Sequence, residues 1–478
     1  MTWASRDRLL PGGLLALAFA GVCAGVCRRQ LDAMAAHNLQ WAQDLAFFNQ
    51  ILWSASRGGS WTSPLLLEPT GFLEMVHLHP VFALILPVYA LWPRPETLLV
   101  INAVVVLSAA LPLALLGREA SGSRWVGAAA GVAFLLWFPT ESAAGADFRP
   151  MVFFVPAMAW LLYGAFAGRW APLLAGAALA CATREEAGYL VPAFGGVLLV
   201  LPFRAWRWRQ GLALIAMGGA WFLFLLLFKE NFFFHFDPLN PPIYDPPSPE
   251  LRAARLGWLA KAMLGAFAAA PLAPAPLAMS AGPLGWLMTD AQREWHLATG
   301  PYVHLRSPLL PLWAGAGVVG AGLIARLRPR LTPAVVIWLL VGNLLPFYGE
   351  RRALAEHHAE TRALRGSPEV VALNGLVDAV GPDARVATDY RLIAALSGRA
   401  VLWNVRHLYL EDGEPPWWTV EWPLTLDRVD TVLVPLDDPI TDRLDDAWRL
   451  DRQGAGYGLW RRVSPPPGGL PAPIVPIP

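Results

Sequence analysis

The chain is poor in charged residues, and this shortage excludes most soluble protein classes. Asp, Glu, Lys and Arg make up only 15% of its 478 residues, whereas 55% are hydrophobic. A soluble globular chain usually carries about 25% charged residues. The net charge of +1 also excludes a strongly basic protein, so we expect no nucleic acid partner.

Cysteines and cofactor motifs are scarce as well. Cys23, Cys27 and Cys181 all lie in apolar runs, which is typical of small buried side chains and speaks against a disulfide framework or a metal site. The sequence has no phosphate-cradling glycine loop, CxxC pair, GxSxG elbow or HExxH helix. A nucleotide site is therefore not indicated. The cofactor is left open, and the ligand spacing gives no support to a divalent cation.

Long apolar runs dominate what is present. A membrane-spanning helix needs about 20 apolar residues. Trp and Phe, with 23 and 22 copies, are abundant, as in the aromatic belts at membrane interfaces. We expect eleven spans if the stretch 257–289 holds a further hairpin, and otherwise nine. The nine predicted spans are 9–27, 97–116, 125–138, 151–167, 171–183, 187–203, 211–228, 307–325 and 332–348.

Arginines in short loops set the expected orientation. Arg6 and Arg8 place the N-terminus inside, and most later basic clusters recur on that side, with Arg28 and Arg29 as the exception. This assignment depends on 80–92, which we interpret as an interfacial or re-entrant segment because it is too short to span. If it crossed, every later loop would invert. The later inside clusters are Arg118 with Arg124, Arg169, Arg204 to Arg209, and Arg326 to Arg330.

The predicted domains follow from this topology. The fold class is a polytopic α-helical membrane protein with a small C-terminal extracytoplasmic α/β domain, in the cell inner membrane with its N-terminus in the cytoplasm. A cysteine at Ser397 is expected to label from outside. The domains are 1–351 in the membrane, with a first outer loop at 28–95 and an amphipathic helix near 40–56, then 352–465 outside and a Pro-rich disordered tail at 466–478. In the outer domain we expect strands at 384–389 and 431–435 and helices at 366–380 and 440–449.

Short polar segments interrupt the apolar sequence on the predicted outer side. Charged side chains near a bilayer are costly, so we interpret them as a candidate functional site. The first segment, DLAFFNQ, places Asp44 one helical turn before Phe48. Partial burial there suits a carboxylate to general-base chemistry. The alternative is an ordinary solvated helix face.

The second segment contains His77 and His79 just before the interfacial run. Two histidines at this spacing can bind a metal on a strand, but no third ligand is evident, so a polar interfacial pair is favoured. In the third segment, Asp147 either caps the helix that Pro150 starts or faces the same cavity as Asp44, together with Arg149.

The fourth segment, Arg184-Glu185-Glu186, joins two apolar helices. Three consecutive charges there need partners or water, so a solvated loop and a functional role are equally open. We expect Asp44 to lie across one cavity from at least two of the charged residues of the third and fourth segments.

The order of these segments resembles a family of predicted prokaryotic membrane proteins, the domain of unknown function 2079. The shared pattern over 40–230 is DL-x(3)-[DN]Q, H-x-x-P before a P-x-Y-A-L run, DF-x-P, and a basic-acidic-acidic triplet. Three positions depart from the family's usual residues. Asn49 replaces an Asp, Arg149 replaces the His of DFHP, and Arg184-Glu185-Glu186 replaces Lys-Glu-Asp.

More distantly, the architecture is similar to the glycosyltransferase C superfamily. Its members have many spans and a long first outer loop with a catalytic Asp, and they use sugars on polyprenyl-phosphate carriers. This resemblance implies a transferase with Asp44 as the base, Asp147 at an acidic position after the third span, and membrane lipid and a polyprenyl-phosphate-linked sugar as partners.

The remaining roles belong to the transferase hypothesis. Arg149 or Arg184 would hold the departing phosphate by charge-assisted hydrogen bonds. His77, Glu185 and Glu186 would orient the donor sugar or help hold a divalent ion, which the ligand spacing does not support. Two other functions stay open: a lipid or solute transporter, and a non-catalytic membrane assembly protein.

Overall fold

The computed structural model describes residues 3–59, 61, 63, 65, 78–202, 205–232, 248–284, 307–405 and 426–464. Helices make up most of this part of the chain. In chain order they are α1 Trp3–Ala35, α2 Ala42–Ser56, α3 Val81–Tyr89, α4 Pro95–Ser108, α5 Ala110–Ser121, α6 Arg124–Leu135, α7 Phe138–Ala144, α8 Phe154–Ala167, α9 Trp170–Thr183, α10 Ala187–Val200, α11 Trp208–Phe232, α12 Pro249–Leu264, α13 Pro274–Ala278, α14 Leu309–Leu327, α15 Thr332–Val341, α16 Tyr348–Arg365 and α17 Pro368–Ala379.

Helices occupy all nine runs that were predicted to span. Five segments are long and apolar enough to cross a membrane, and α6 with α7, bent by 57°, makes a sixth if the pair is one span. Three further apolar helices are shorter. The five long segments are Leu10–Ala35, Pro95–Ser121, Pro150–Ala167, Trp208–Phe228 and Leu309–Leu327.

The stretch 257–289 does not add a pair of long helices within its described part. It holds the end of α12, a 3-10 turn at Ala270–Leu272 and the five-residue α13. Prolines at 271, 274 and 276 explain this, because proline interrupts helical hydrogen bonding.

Small residues let the long helices approach closely. On α6, a Cβ added to Gly127 would lie 2.6 Å from the carbonyl oxygen of Ala114 on α5, and one added to Gly131 would lie 3.0 Å from that of Ala110. Glycines four residues apart form a flat helix face, which is a common device where helices pack inside a bilayer. Larger residues at these positions would force α5 and α6 apart.

The short α3 fits the expectation for 80–92. Its nine residues correspond to about 13 Å of helix, far less than the roughly 30 Å of a bilayer's hydrocarbon core. Arg29, one of the two arginines that do not fit the predicted orientation, pairs with Glu141 at 2.8 Å, and Glu141 also pairs with Arg351 at 3.2 Å. A protein ion pair therefore accounts for Arg29.

The C-terminal part contains a five-stranded sheet with the strands β1 Val386–Thr388, β2 Leu402–Asn404, β3 Thr431–Pro435, β4 Trp448–Gly454 and β5 Tyr457–Arg462. Their order in the sheet is β2-β1-β3-β5-β4. Strand β1 pairs in parallel with β2 and β3, whereas β5 pairs antiparallel with β3 and β4. The hairpin loop residues Ala455 and Gly456 have φ of 53° and 77°, as a two-residue type I′ turn requires.

The two faces of this sheet belong to different hydrophobic cores. Leu402 and Leu433 join the same buried cluster as Leu45 of α2. Trp403 and Val432 lie in a separate, smaller cluster. The sheet is thus packed onto the helical part, and α16 runs unbroken across 351–352. The domain boundaries stay predictions, and the tail at 466–478 lies outside the described residues.

The prediction of a helix at 440–449 is wrong. A 3-10 turn at Pro439–Arg443 is followed by β4, which begins at Trp448. Asp438 accepts a hydrogen bond from the Ile440 amide at 3.0 Å, and this side-chain bond favours a turn over a longer helix. Pairing with β5 then extends the chain. The predicted small α/β domain and its strand at 431–435 are confirmed.

Labelling tests the predicted orientation. Ser397 is fully buried, so a cysteine there would not report on the side of the membrane. In a variant without the native cysteines, Asp437→Cys, at an exposed position, should react with a membrane-impermeant maleimide in intact cells. Arg328→Cys, exposed in a predicted inner loop, should react only after permeabilisation. The reverse pattern would place the C-terminal domain inside.

Candidate functional site

Asp44 lies in the first turn of α2, where the positive end of the helix dipole favours a carboxylate. Its Oδ2 accepts a hydrogen bond from Nη2 of Arg149, so the two side chains form an ion pair. The side chain of Asp44 is 41% exposed and that of Arg149 is 15% exposed. The carboxylate is therefore within reach of a ligand from solution, while the cation is mostly enclosed.

Trp41, which immediately precedes α2, holds Arg149 from a second direction. The Arg149 guanidinium carbon lies 5.1 Å from the centre of the Trp41 ring. A cation above an aromatic face is attracted to its negative quadrupole. Residues 41–44 thus supply both an aromatic surface and a carboxylate to one arginine.

Asp147 is buried against the same segment. Its Oδ2 accepts a hydrogen bond from the Trp41 amide at 2.5 Å, and the residue is only 5% exposed. Burial raises the pKa of Asp147 to about 6, Asp44 adds to this rise, and the Trp41 amide and Arg149 oppose it. The alternative of a helix cap is wrong, because no side chain caps the turn that begins at Pro150.

Two amide side chains that the sequence interpretation missed hold the loop carrying Asp147 and Arg149. Gln30 Nε2 donates to the carbonyl oxygens of Ala144 and Ala146 at 3.0 and 2.6 Å. Asn102 Nδ2 lies within 3.2 Å of the same two oxygens and that of Ala143. The Ala143 and Ala144 carbonyls belong to the last turn of α7, and Ala146 follows it, where a helix supplies few backbone donors of its own. A lone amide inside the apolar α4 was the signal that could have revealed Asn102.

The triplet Arg184-Glu185-Glu186 forms a second group. Nε of Arg184 lies 2.9 Å from a carboxylate oxygen of Glu186 and 3.4 Å from one of Glu185. The Glu185 side chain is fully buried and accepts from the Leu78 amide at 3.3 Å. His79 Nδ1 lies 2.7 Å from the Thr183 carbonyl oxygen. The triplet thus anchors the chain just before α3.

An aromatic cluster lies between the two groups. Phe48 has edge contacts with His79, Phe82 and Phe148, with ring centres 6.0, 5.8 and 5.9 Å apart. Phe148 sits between Asp147 and Arg149 in sequence, Phe48 is one turn after Asp44, and His79 is held by the residue before Arg184. The described site residues therefore fall into two groups, and the ring contacts of Phe48 connect residues next to both of them.

His77 lies outside the described residues, so its predicted role is not placed. Within the described ranges, the structure has no group of three or more His, Cys, Asp or Glu that could hold a metal ion.

The raised pKa of Asp147 predicts a pH-dependent stability. The pKa of Asp147 is about 6 in the folded protein, against about 3.9 in an unfolded chain. Between these values the folded state binds more protons, so stability falls as pH rises. The melting temperature of the wild-type protein minus that of Asp147→Asn, in detergent, should fall from about pH 4 to about pH 6 and then level off. A difference that is constant with pH would contradict a buried, titrating Asp147.

Comparison with known proteins agrees with this architecture. No curated protein matches the chain in sequence. The fold is similar to the crystal structure of ArnT from Cupriavidus metallidurans bound to undecaprenyl phosphate, with a TM-score of 0.53 and 12% identity over 93% of this chain and 97% of ArnT. The expected glycosyltransferase-C-like fold is thus confirmed. Residues 37–230, which contain both groups of the site, match the family described as Predicted membrane protein (DUF2079).

Proposed function

We propose that the protein is a membrane glycosyltransferase that moves a sugar from a polyprenyl-phosphate donor to an acceptor on the extracytoplasmic face. ArnT, whose fold is similar, was crystallised with undecaprenyl phosphate. The observation that carries the proposal is the ion pair of Arg149 and Asp44. A guanidinium suits a phosphate, and an accessible carboxylate beside it suits an incoming hydroxyl.

In the proposed reaction, a hydroxyl oxygen of the acceptor attacks the anomeric carbon of the donor sugar. The bond from that carbon to the phosphate oxygen breaks, and its electron pair leaves with the phosphate. Asp44 takes the proton of the attacking hydroxyl, and Arg149 holds the phosphate by charge-assisted hydrogen bonds. The polyprenyl phosphate is released, and the sugar is joined to the acceptor.

Because Asp44 is already paired with Arg149, the donor would have to bind before Asp44 can act as the base. Before a donor binds, Arg149 is paired with Asp44. The phosphodiester of the donor carries one negative charge, as a carboxylate does, and its two unshared oxygens can compete for the guanidinium. Exchange of Arg149 onto the phosphate then removes this cation from the Asp44 carboxylate, which can accept a proton. The base would be available only when a donor is present.

The second group supports a positioning role next to this centre. Glu185 is fully buried, and Arg184 pairs with both of its neighbouring glutamates. In the proposal, these residues fix the chain at 78–82, so that the aromatic cluster lines the path of the donor. We prefer Arg149 to Arg184 as the phosphate ligand, because its partner Asp44 is more exposed than Glu185 and Glu186, the partners of Arg184. His77 stays a candidate for contact with the sugar.

Replacement of the base tests the mechanism. Asp44→Asn keeps the shape of the side chain but cannot accept the proton, so release of undecaprenyl phosphate from a panel of undecaprenyl-phosphate sugars should fall about 10²–10⁴-fold. Binding of undecaprenyl phosphate should persist. Asp437→Asn, an exposed acid in the C-terminal domain, should keep wild-type turnover. Full turnover by Asp44→Asn would reject Asp44 as the base, and transbilayer movement of the lipid without sugar release would favour a transporter.

Two arginine variants separate phosphate binding from structural support. Arg149→Gln should weaken binding of undecaprenyl phosphate about 10- to 100-fold, as expected for lost charge-assisted hydrogen bonds. Arg184→Gln should mainly lower the melting temperature, because it removes a cation that lies beside the buried Glu185 carboxylate. Unchanged lipid affinity in Arg149→Gln, together with a large loss in a folded Arg184→Gln protein, would reverse these assignments.

A further inference from the structure

The C-terminal domain lies directly on α2, the helix that carries Asp44. The segment 390–404 reaches this helix and the residues just before it through several polar contacts. From the C-terminal domain, the Tyr390 hydroxyl donates to the Gln40 carbonyl oxygen at 2.9 Å and Asn404 Nδ2 donates to Gln43 Oε1 at 2.8 Å. From α2, Asn49 Nδ2 donates to Ser397 Oγ at 2.9 Å and Gln50 Nε2 donates to the Arg399 carbonyl oxygen at 3.3 Å.

Tyr390 is connected to the site through one peptide group. Its hydroxyl donates to the carbonyl oxygen of Gln40. The N–H of that same peptide belongs to Trp41 and donates to Asp147 at 2.5 Å. Hydrogen bonds in series polarise one another. The phenol therefore makes the Trp41 amide a stronger donor to the buried carboxylate.

The charges of the site also act on Tyr390 itself. Burial raises the pKa of its phenol, Asp44 and Asp147 raise it further, and Arg149 lowers it. The hydroxyl thus lies in the field of all three charged groups and stays protonated at neutral pH. It is a permanent donor at the Gln40 carbonyl.

We propose that Tyr390 is a positioning residue that the C-terminal domain supplies to the Asp44 site. By holding the Gln40–Trp41 peptide, it keeps the Trp41 amide on Asp147 and the Trp41 ring against Arg149. The cation is then fixed opposite Asp44. The effect on sugar transfer rests on the proposed function, whereas the effect on Asp147 does not.

The first test follows the titration of Asp147. Tyr390→Phe removes only the hydroxyl, and Tyr457→Phe is the matched control, because its hydroxyl bonds Asp389 at 2.7 Å. For each protein, the melting temperature is compared with that of its Asp147→Asn counterpart across pH. Asp44 and Arg149 are present throughout. The pH midpoint of this difference in melting temperature reports the titration of Asp147. Tyr390→Phe should move that midpoint to higher pH, because a weaker Trp41 donor stabilises the Asp147 carboxylate less. An unchanged midpoint, or an equal shift in Tyr457→Phe, would overturn the proposal.

The second test follows turnover with undecaprenyl-phosphate sugars. Tyr390→Phe should lower kcat about three- to tenfold, the effect of one neutral hydrogen bond, with unchanged affinity for undecaprenyl phosphate. A kcat equal to wild type would overturn the role in transfer, as would an equal loss in Tyr457→Phe. If the wild-type protein transfers no sugar, the proposed function fails, and the titration of Asp147 still decides whether Tyr390 acts on the site.

Discussion

The ion pair between Arg149 and Asp44 joins two segments that are 105 residues apart in sequence, and the surrounding structure serves to hold it. Trp41 lies against the guanidinium and gives its amide to Asp147. Burying Asp147 beside Asp44 brings two acids together, which is costly unless a cation and backbone donors offset it. Arg149 is that cation and the Trp41 amide is such a donor, so the burial of Asp147 depends on the same groups that position Asp44.

The loop that presents Arg149 is itself held by polar groups within apolar helices. Gln30 from α1 and Asn102 from α4 bond the carbonyls at the end of α7. A buried carbonyl left without a partner costs about 1–3 kcal/mol, and a helix of any length lacks intrahelical donors for the carbonyls of its last turn. The long helices thus do more than cross a membrane, because two of them set the direction in which the loop leaves α7.

The sequence predicts the parts of this fold that depend on local pattern. Apolar runs were sufficient to predict a helix at each of the nine candidate spans, and the amphipathic pattern near 40–56 predicted α2. They also singled out Asp44, Asp147 and Arg149, because charge is costly in such surroundings. The partners were not predictable in the same way. The Trp41 amide is a backbone group without a sequence signature. Tyr390 bonds the Gln40 carbonyl although the two residues are 350 positions apart in sequence. The failed helix at 440–449 has the same origin, since pairing with β5 decides that segment.

The departure at Asn49 from the usual acidic residue of the family pattern has a structural explanation. Its side-chain oxygen accepts from the Tyr89 hydroxyl at 2.6 Å, and its Nδ2 donates to Ser397 Oγ at 2.9 Å. The Ser397 hydroxyl proton is already used on the Ala394 carbonyl at 2.7 Å, so Ser397 needs a donor from position 49. An ionised Asp has no proton to give and would meet Ser397 with two oxygens face to face. An amide satisfies both neighbours, and in doing so it connects α3, α2 and the C-terminal domain at the helix that presents Asp44.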